Sequence, residues 1–191
     1  SGNSINGSIP VELSNCVLLE NLALDRNILT GIIPSSLGIS LQKLSILSLH
    51  SNNLTGSINT TGFQKAQQML LSHNFFYGTL PFLNMNISRI KTLDLSSNFF
   101  EGSLPDAFIS NAILDNNCFM NAVNQRSFDE CVEFYSAKGL IYQWPVGAPS
   151  LTIKTRNGRG KNHLIPILAG VLGGLVFIIL LIWLVVFLSK Q

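Results

Sequence analysis

Residues 93–105 read LDLSSNFFEGSLP, and the same spelling returns along the chain at near-constant spacing. Aligned on one Asn, the matching stretches are GNSINGSIP (2–10), LALDRNILTGIIP (22–34), LSLHSNNLTGSI (47–58) and MLLSHNFFYGTLP (69–81). The shared residues are Asn3, Asn27, Asn52, Asn74 and Asn98, separated by 24, 25, 22 and 24 positions. A shorter unit, AILDNNCF (112–119), puts Asn117 in the same place. A period of this size marks stacked supersecondary units, none of which can bury its apolar side alone.

Each position in the unit has a physical task. Leu22 and Leu24, Leu47 and Leu49, Met69 and Leu71, and Leu93 and Leu95 alternate at period two, which predicts a short strand with one face turned inward. The Asn that follows carries two donors and an acceptor, suited to backbone groups of adjacent coils. Two residues on comes an apolar plug: Ile5, Leu29, Leu54, Phe76 or Phe100. Gly7, Gly31, Gly56, Gly78 and Gly102 then predict a turn that a Cβ would obstruct. Pro10, Pro34, Pro81 and Pro105 set an extended path. Asn59 replaces Pro in the third unit, and the irregular run after it predicts a distorted coil. The opening SGNSINGSIP then reads as half a repeat lacking its first strand, so the chain is read as a fragment whose first ten or so residues fray.

The N-x-L-x-G-x-I-P spelling resembles the plant-specific subclass of leucine-rich repeats over residues 1 to about 117. The resemblance implies an α/β class fold, a curved solenoid with a concave parallel sheet. It also implies a place outside the cell, on a receptor-like kinase or receptor-like protein. After Asn117 the period stops, and a solenoid end needs a cap. Cys118 and Cys131, 13 residues apart, suit a stapled cap over 118–140. The wording NC…NQR…EC..FY…GL followed by an apolar span again resembles plant leucine-rich-repeat receptor-like kinases. Cys16 is left over; it stands at an inward repeat position and is expected to be buried and inert.

Residues 141–163 read as a juxtamembrane stalk containing the basic run KTRNGRGK. From Leu164 to Leu188 no residue is charged. As a helix that run would reach about 37 Å, enough for one tilted crossing of a hydrocarbon core about 30 Å thick. Residues 189–191 are then a cytoplasmic stub. The basic flank taken alone would face the cytoplasm, but a long folded domain translocates largely regardless of charge. Sequons at Asn6, Asn53, Asn59 and Asn86 agree with an extracellular N-terminal side and a plasma-membrane location. Gly170 and Gly174 are candidates for close helix pairing within the span.

The inner strands present polar, small side chains with a few charges, a surface suited to recognition. Candidate binding residues are Asp25, Arg26, His50, Leu70, His73 and Asp94, at fixed offsets from the repeat Asn. Phe75 and Phe99 directly follow it in adjacent coils, and either stack on one another or form an exposed partner patch. His50 and His73 fall in different columns, so no metal site or cofactor is expected. No catalytic motif is present, and an enzyme is not expected. The function read from the residues and the resemblance is the ligand- or partner-binding ectodomain of a single-pass receptor, signalling through a kinase not in this chain. The alternatives are a kinase-less receptor-like protein and a membrane-tethered apoplastic binding or inhibitor module. Partners would be a peptide, a glycan or a co-receptor ectodomain, with dimerisation through the span and no nucleic acid.

Overall fold

The computed structural model describes residues 2–59, 63, 65–80, 89–106 and 112–142. The stalk from residue 143 on, the apolar run 164–188 with Gly170 and Gly174, and the sequon at Asn86 lie outside the described residues, as does part of the irregular run after Asn59. Tyr142, expected in the stalk, is instead buried in the cap. No helix among the described residues is long and apolar enough to cross a membrane.

The period-two segments form the strands β2 (Asn21–Ala23), β4 (Ile46–Ser48), β6 (Gln68–Leu70), β8 (Thr92–Asp94) and β10 (Ala112–Ile113). They pair in parallel in the order β2-β4-β6-β8-β10. Leu22, Leu47, Met69 and Leu93 point inward and are buried. Beyond each repeat Asn runs a second parallel sheet that the Gly turns had not led us to expect: β1 (Asn6–Ser8), β3 (Ile28–Gly31), β5 (Asn53–Gly56), β7 (Phe75–Thr79), β9 (Phe99–Gly102) and β11 (Cys118–Phe119). Its inward residues are the plugs, and the rings of Phe76, Phe100 and Phe119 stack through the core with neighbouring centroids 6.2 and 6.3 Å apart. The glycine ends β3, β5 and β9 and stands one residue before the end of β1 and β7. At Gly56 φ is +90°, and an added Cβ would lie 2.7 Å from Ile32 Cγ2, so only glycine satisfies both the dihedral and the approach.

A ladder of side-chain amides joins the coils. Asn98 Oδ1 accepts the Phe76 N–H at 3.1 Å, and its Nδ2 donates to the carbonyls of Leu71, Leu95 and Ser96 at 3.0 to 3.2 Å. Asn52, Asn74 and Asn117 repeat this pattern one coil apart. Each bonded Leu carbonyl serves two rungs: that of Leu71 accepts from both Asn74 and Asn98, and that of Leu95 from both Asn98 and Asn117. To aim the Asn inward, the residue before it takes a left-handed conformation: Arg26, Ser51, His73, Ser97 and Asn116 all have φ between +55° and +59°.

The first half-repeat, expected to fray, is hydrogen-bonded to the next coil. The Ile5 N–H donates to Asn27 Oδ1, the Ile28 N–H to the Ile5 carbonyl, and β1 pairs with β3. Its bonds go forward to the next coil, so no preceding strand is needed to make them. Ile5 remains 46% exposed.

Cys16 is exposed, against the expectation of a buried thiol. Its counterpart one coil on, Leu41, ends a short helix with nearly the same backbone angles and is buried between coils. Cys16 belongs to the first coil, and no described coil stacks on its outer side. A thiol reagent added to the native protein should therefore find one freely reacting cysteine; a signal that appears only after denaturation would restore the buried assignment.

The end of the solenoid is a purpose-built segment. Gln125 Oε1 accepts the Phe119 N–H at 3.2 Å, and its Nε2 donates to the Leu114 carbonyl at 3.1 Å. These are the partners the next ladder Asn would take, so Gln125 supplies the last rung. Helix α2 (Phe128–Ala137) follows at once. Ser127 and Glu130 cap it reciprocally, and the two bonds from Ser127 hold the Glu130 carboxyl below its usual range. Cys118 and Cys131 form a disulfide that fixes α2 to β11.

Candidate functional site

Two surfaces compete for a binding role: the solvent side of the first sheet, and the outer face of the second sheet beside the cap.

On the first sheet, outward side chains come from two columns, four and two residues before each ladder residue. The column at four runs Ala23, Ser48, Leu70, Asp94 and Ile113. Leu70 is half-buried, while Ile113 is 51% exposed. Ile113 is the open apolar residue of this face. Sequence reasoning missed it because the short sixth unit was not carried into the columns. The column at two holds Asp25 and His50, which the fold brings to 3.6 Å. Ser48 Oγ lies 3.4 Å from Asp25 Oδ1. Asp25 is thereby buried to 9% exposure, and it acts first as a joint between two coils rather than as a free charge. Asp94 Oδ1 similarly accepts from the backbone N–H and hydroxyl of Ser96. Arg26 and His73 stand exposed at the end of their strands, held outward by the left-handed backbone. Arg26, His50, His73, Asp94 and Ile113 are thus the groups this face offers to a partner. Among the described residues no group of three His, Cys, Asp or Glu could hold a metal.

On the second sheet, residues one and three after the ladder position point outward. Phe75 and Phe99 are stacked with ring centroids 6.4 Å apart, but they differ in surroundings. Phe99 is sandwiched: Phe134 of α2 lies parallel at 3.6 Å, and the Arg126 guanidinium sits 4.0 Å from its centroid. Arg126 also donates from Nε to the Asn98 carbonyl at 2.8 Å, and its partial burial lowers its affinity for the proton, opposed by Glu130. Phe75 stays 45% exposed at the border. The Tyr135 hydroxyl accepts the Gly78 N–H at 2.9 Å and donates to the Phe99 carbonyl at 2.8 Å. Burial raises its pKa well above the ordinary phenol value, so it stays a neutral donor. Tyr142 donates to the Cys118 carbonyl at 2.8 Å, and burial, then the Glu101 carboxylate, raise its pKa too. Phe99 is therefore a cap residue, and of the two Phe residues Phe75 is the one more open to contact.

The sequons separate as well. Asn6 and Asn53 are exposed on the outer face of the second sheet, and Asn59 is exposed beyond it.

Parallel coils joined by a buried asparagine ladder and closed by a disulfide cap define the class: a leucine-rich-repeat protein. The Leucine Rich Repeat family description matches residues 89–111. Receptor-like protein 35 of Arabidopsis thaliana is 36% identical over 135 residues, covering 68% of this chain and 14% of that protein. Receptor-like protein 34 of the same plant is 39% identical over 79 residues, 41% of this chain and 8% of that protein. Among solved structures, the ectodomain of the Arabidopsis receptor kinase HAESA, in complex with the peptide hormone IDA and the co-receptor SERK1, superposes with a TM-score of 0.56 at 30% identity. It covers 65% of this chain and 22% of that one. This chain spans less than a fifth of the length of the sequence relatives it matches. Within the leucine-rich-repeat class, its likeness is to the plant receptor-like proteins.

Proposed function

We propose that this chain is the membrane-proximal part of a plant cell-surface receptor, binding a peptide, a glycan or a co-receptor ectodomain. What supports this is the five-stranded inner sheet, whose outward columns carry His50, Asp94 and Ile113, with the exposed Arg26 and His73 following its strands β2 and β6. Relatives in fold are receptors in complex with peptide hormones or co-receptors, as in HAESA with IDA and SERK1. The uncharged run 164–188 would cross the plasma membrane once, with the repeats outside, Gly170 and Gly174 on a pairing face, and sequons at Asn6, Asn53, Asn59 and Asn86 carrying sugar. Signalling would pass to a kinase. In a second reading that kinase belongs to a partner protein, as the sequence relatives bear the name receptor-like protein rather than receptor kinase.

The test is binding of the full chain to panels of peptides, cell-wall glycans and receptor ectodomains. For whichever class binds, Arg26→Glu combined with Asp94→Lys should weaken the interaction by about tenfold or more, a 1.4 kcal/mol change. Ile39→Ser, on the exposed side of α1 (Ser35–Ser40), should leave it unchanged. Equal affinity in all three proteins would move the binding site off the inner sheet.

A further inference from the structure

The outer face of the second sheet is covered over one half only. On β7, β9 and β11 it lies against α2 and the aromatic sandwich. On β3 and at the starts of β5 and β7 it stays open: Ile28 on β3 is 50% exposed, and Phe75, the first residue of β7, is 45% exposed. Asn53 lies between them. All three residues directly follow a ladder Asn, so they occupy one column. The backbone register sets Thr30 beside Asn53 and Thr55 beside Phe75, which makes Asn53 the diagonal neighbour of both Ile28 and Phe75. The same diagonal offset separates Phe75 from Phe99, and those rings meet. An aromatic or long group in this column therefore reaches its diagonal neighbour.

Asn53 also differs sharply from Asn52 before it. Asn52 is buried and uses its amide in the ladder. Asn53 is exposed, opens the sequon Asn53-Leu54-Thr55, and receives no side-chain hydrogen bond from any described residue. On the far side the strip is closed by Lys138, whose Nζ lies 3.4 Å from Thr55 Oγ1 and 5.1 Å from the Tyr77 ring centroid. Asn6 is exposed on the same face, but its lateral neighbour is Ile28 and no aromatic ring stands beside it.

We propose that Asn53 is N-glycosylated and that its first N-acetylglucosamine lies along this strip, with the apolar C–H face of the sugar on the Phe75 ring. The inference rests on the extracellular reading of the repeats. In the modification, Asn53 Nδ2 forms a bond to C1 of the sugar of a lipid-linked oligosaccharide. The bond from C1 to the lipid pyrophosphate breaks, the pyrophosphate leaves with the electron pair, and the amide gives up one proton. A pyranose ring offers polarised C–H groups on one face, and an aromatic ring offers a negative face to receive them. The glycan thus covers an apolar strip that would otherwise invite unspecific contact, and it leaves the inner sheet as the face open to partners.

The test uses the full chain purified from plant cells. Glycopeptide mass spectrometry reads the occupancy of each sequon, and hydroxyl-radical footprinting reads Phe75 before and after enzymatic removal of the sugars. Asn53 should be occupied, and oxidation of Phe75 should rise several-fold on deglycosylation while Ile39 does not change. Asn53→Gln should give the raised Phe75 rate without enzyme, and Asn6→Gln should not. An unmodified Asn53 beside an occupied Asn6 or Asn86 would overturn the proposal while sparing the extracellular reading; no occupied sequon at all would remove both. Occupancy with no change at Phe75 would overturn the packing.

Discussion

Asn98→Asp should unfold the C-terminal coils at neutral pH. Asn98 is fully buried, and its Nδ2 points at three carbonyl oxygens within 3.2 Å. Each of those carbonyls keeps another donor: Asn74 on Leu71, Asn117 on Leu95, and the His73 N–H on Ser96. Removing the amide with Asn98→Leu therefore orphans chiefly the Phe76 N–H, at a cost of roughly 1 to 3 kcal/mol plus any misfit. The carboxylate is worse, since it places an unpaired charge against oxygens that repel it. Burial of that kind raises a carboxyl pKa by up to about 3–5 units. The group then protonates on folding, so at 1.36 kcal/mol per unit between about pH 3.9 and 7 the penalty at pH 7 is about 4 kcal/mol. That is a large part of the whole stability of many domains. The sign follows from the raised folded-state pKa: the charge penalty is absent below the unfolded value near 3.9 and grows as pH rises above it. The stability gap between the variant and the native chain should accordingly narrow on acidification to about pH 4, which chemical denaturation at several pH values would measure. A gap independent of pH would mean that the carboxylate finds a partner the ladder does not offer.

Cys118→Ser with Cys131→Ser should release the cap before the repeats. The bond closes a loop with a sequence separation of 13, worth about 3 kcal/mol in the chain-entropy account. What it holds down is α2, with Phe134 on Phe99 and Tyr135 between the Gly78 N–H and the Phe99 carbonyl. Amide exchange should speed up by about two orders of magnitude in α2 if 3 kcal/mol is lost locally, 1.4 kcal/mol being tenfold. The amides of Leu29 and Leu54, which donate to ladder residues two or more coils away from the cap, should keep their rates. Uniform acceleration across all coils would show that cap and repeats unfold as one unit.

The repeat was fully legible because stacked coils must reuse the same chemistry. The ladder Asn, the plugs and the two cap cysteines could each be named from spacing alone. From the second unit on each occupies the place expected, while Asn3 and the plug Ile5 of the first unit stay exposed. The second sheet was harder to read, since its strands are short and the glycine at or near the end of most of them looks like a turn. Left-handed backbone at Arg26, Ser51, His73 and Ser97 left no glycine behind to announce it; the ladder bond of the next residue imposes it. Asp25 and His50 share a column, so their contact could have been found by reading side chains down the coils rather than along them. The Ser127–Glu130 capping box was present in the letters but falls outside the repeat. Gln125 was hidden for a different reason: its side chain is one carbon longer than Asn, and it reaches the same partners from a shorter loop.

That substitution has a consequence for how such a chain can change length. Every rung serves the backbone of the coil preceding it, so a unit duplicated anywhere ahead of Asn117 arrives with an Asn that its predecessor can use and a plug that its successor will complete. Between Asn117 and Gln125 that interchangeability ends, because the longer amide fits only the abbreviated coil it closes. Repeat number is free to vary on one side of this boundary, and the terminator travels as a fixed cassette on the other.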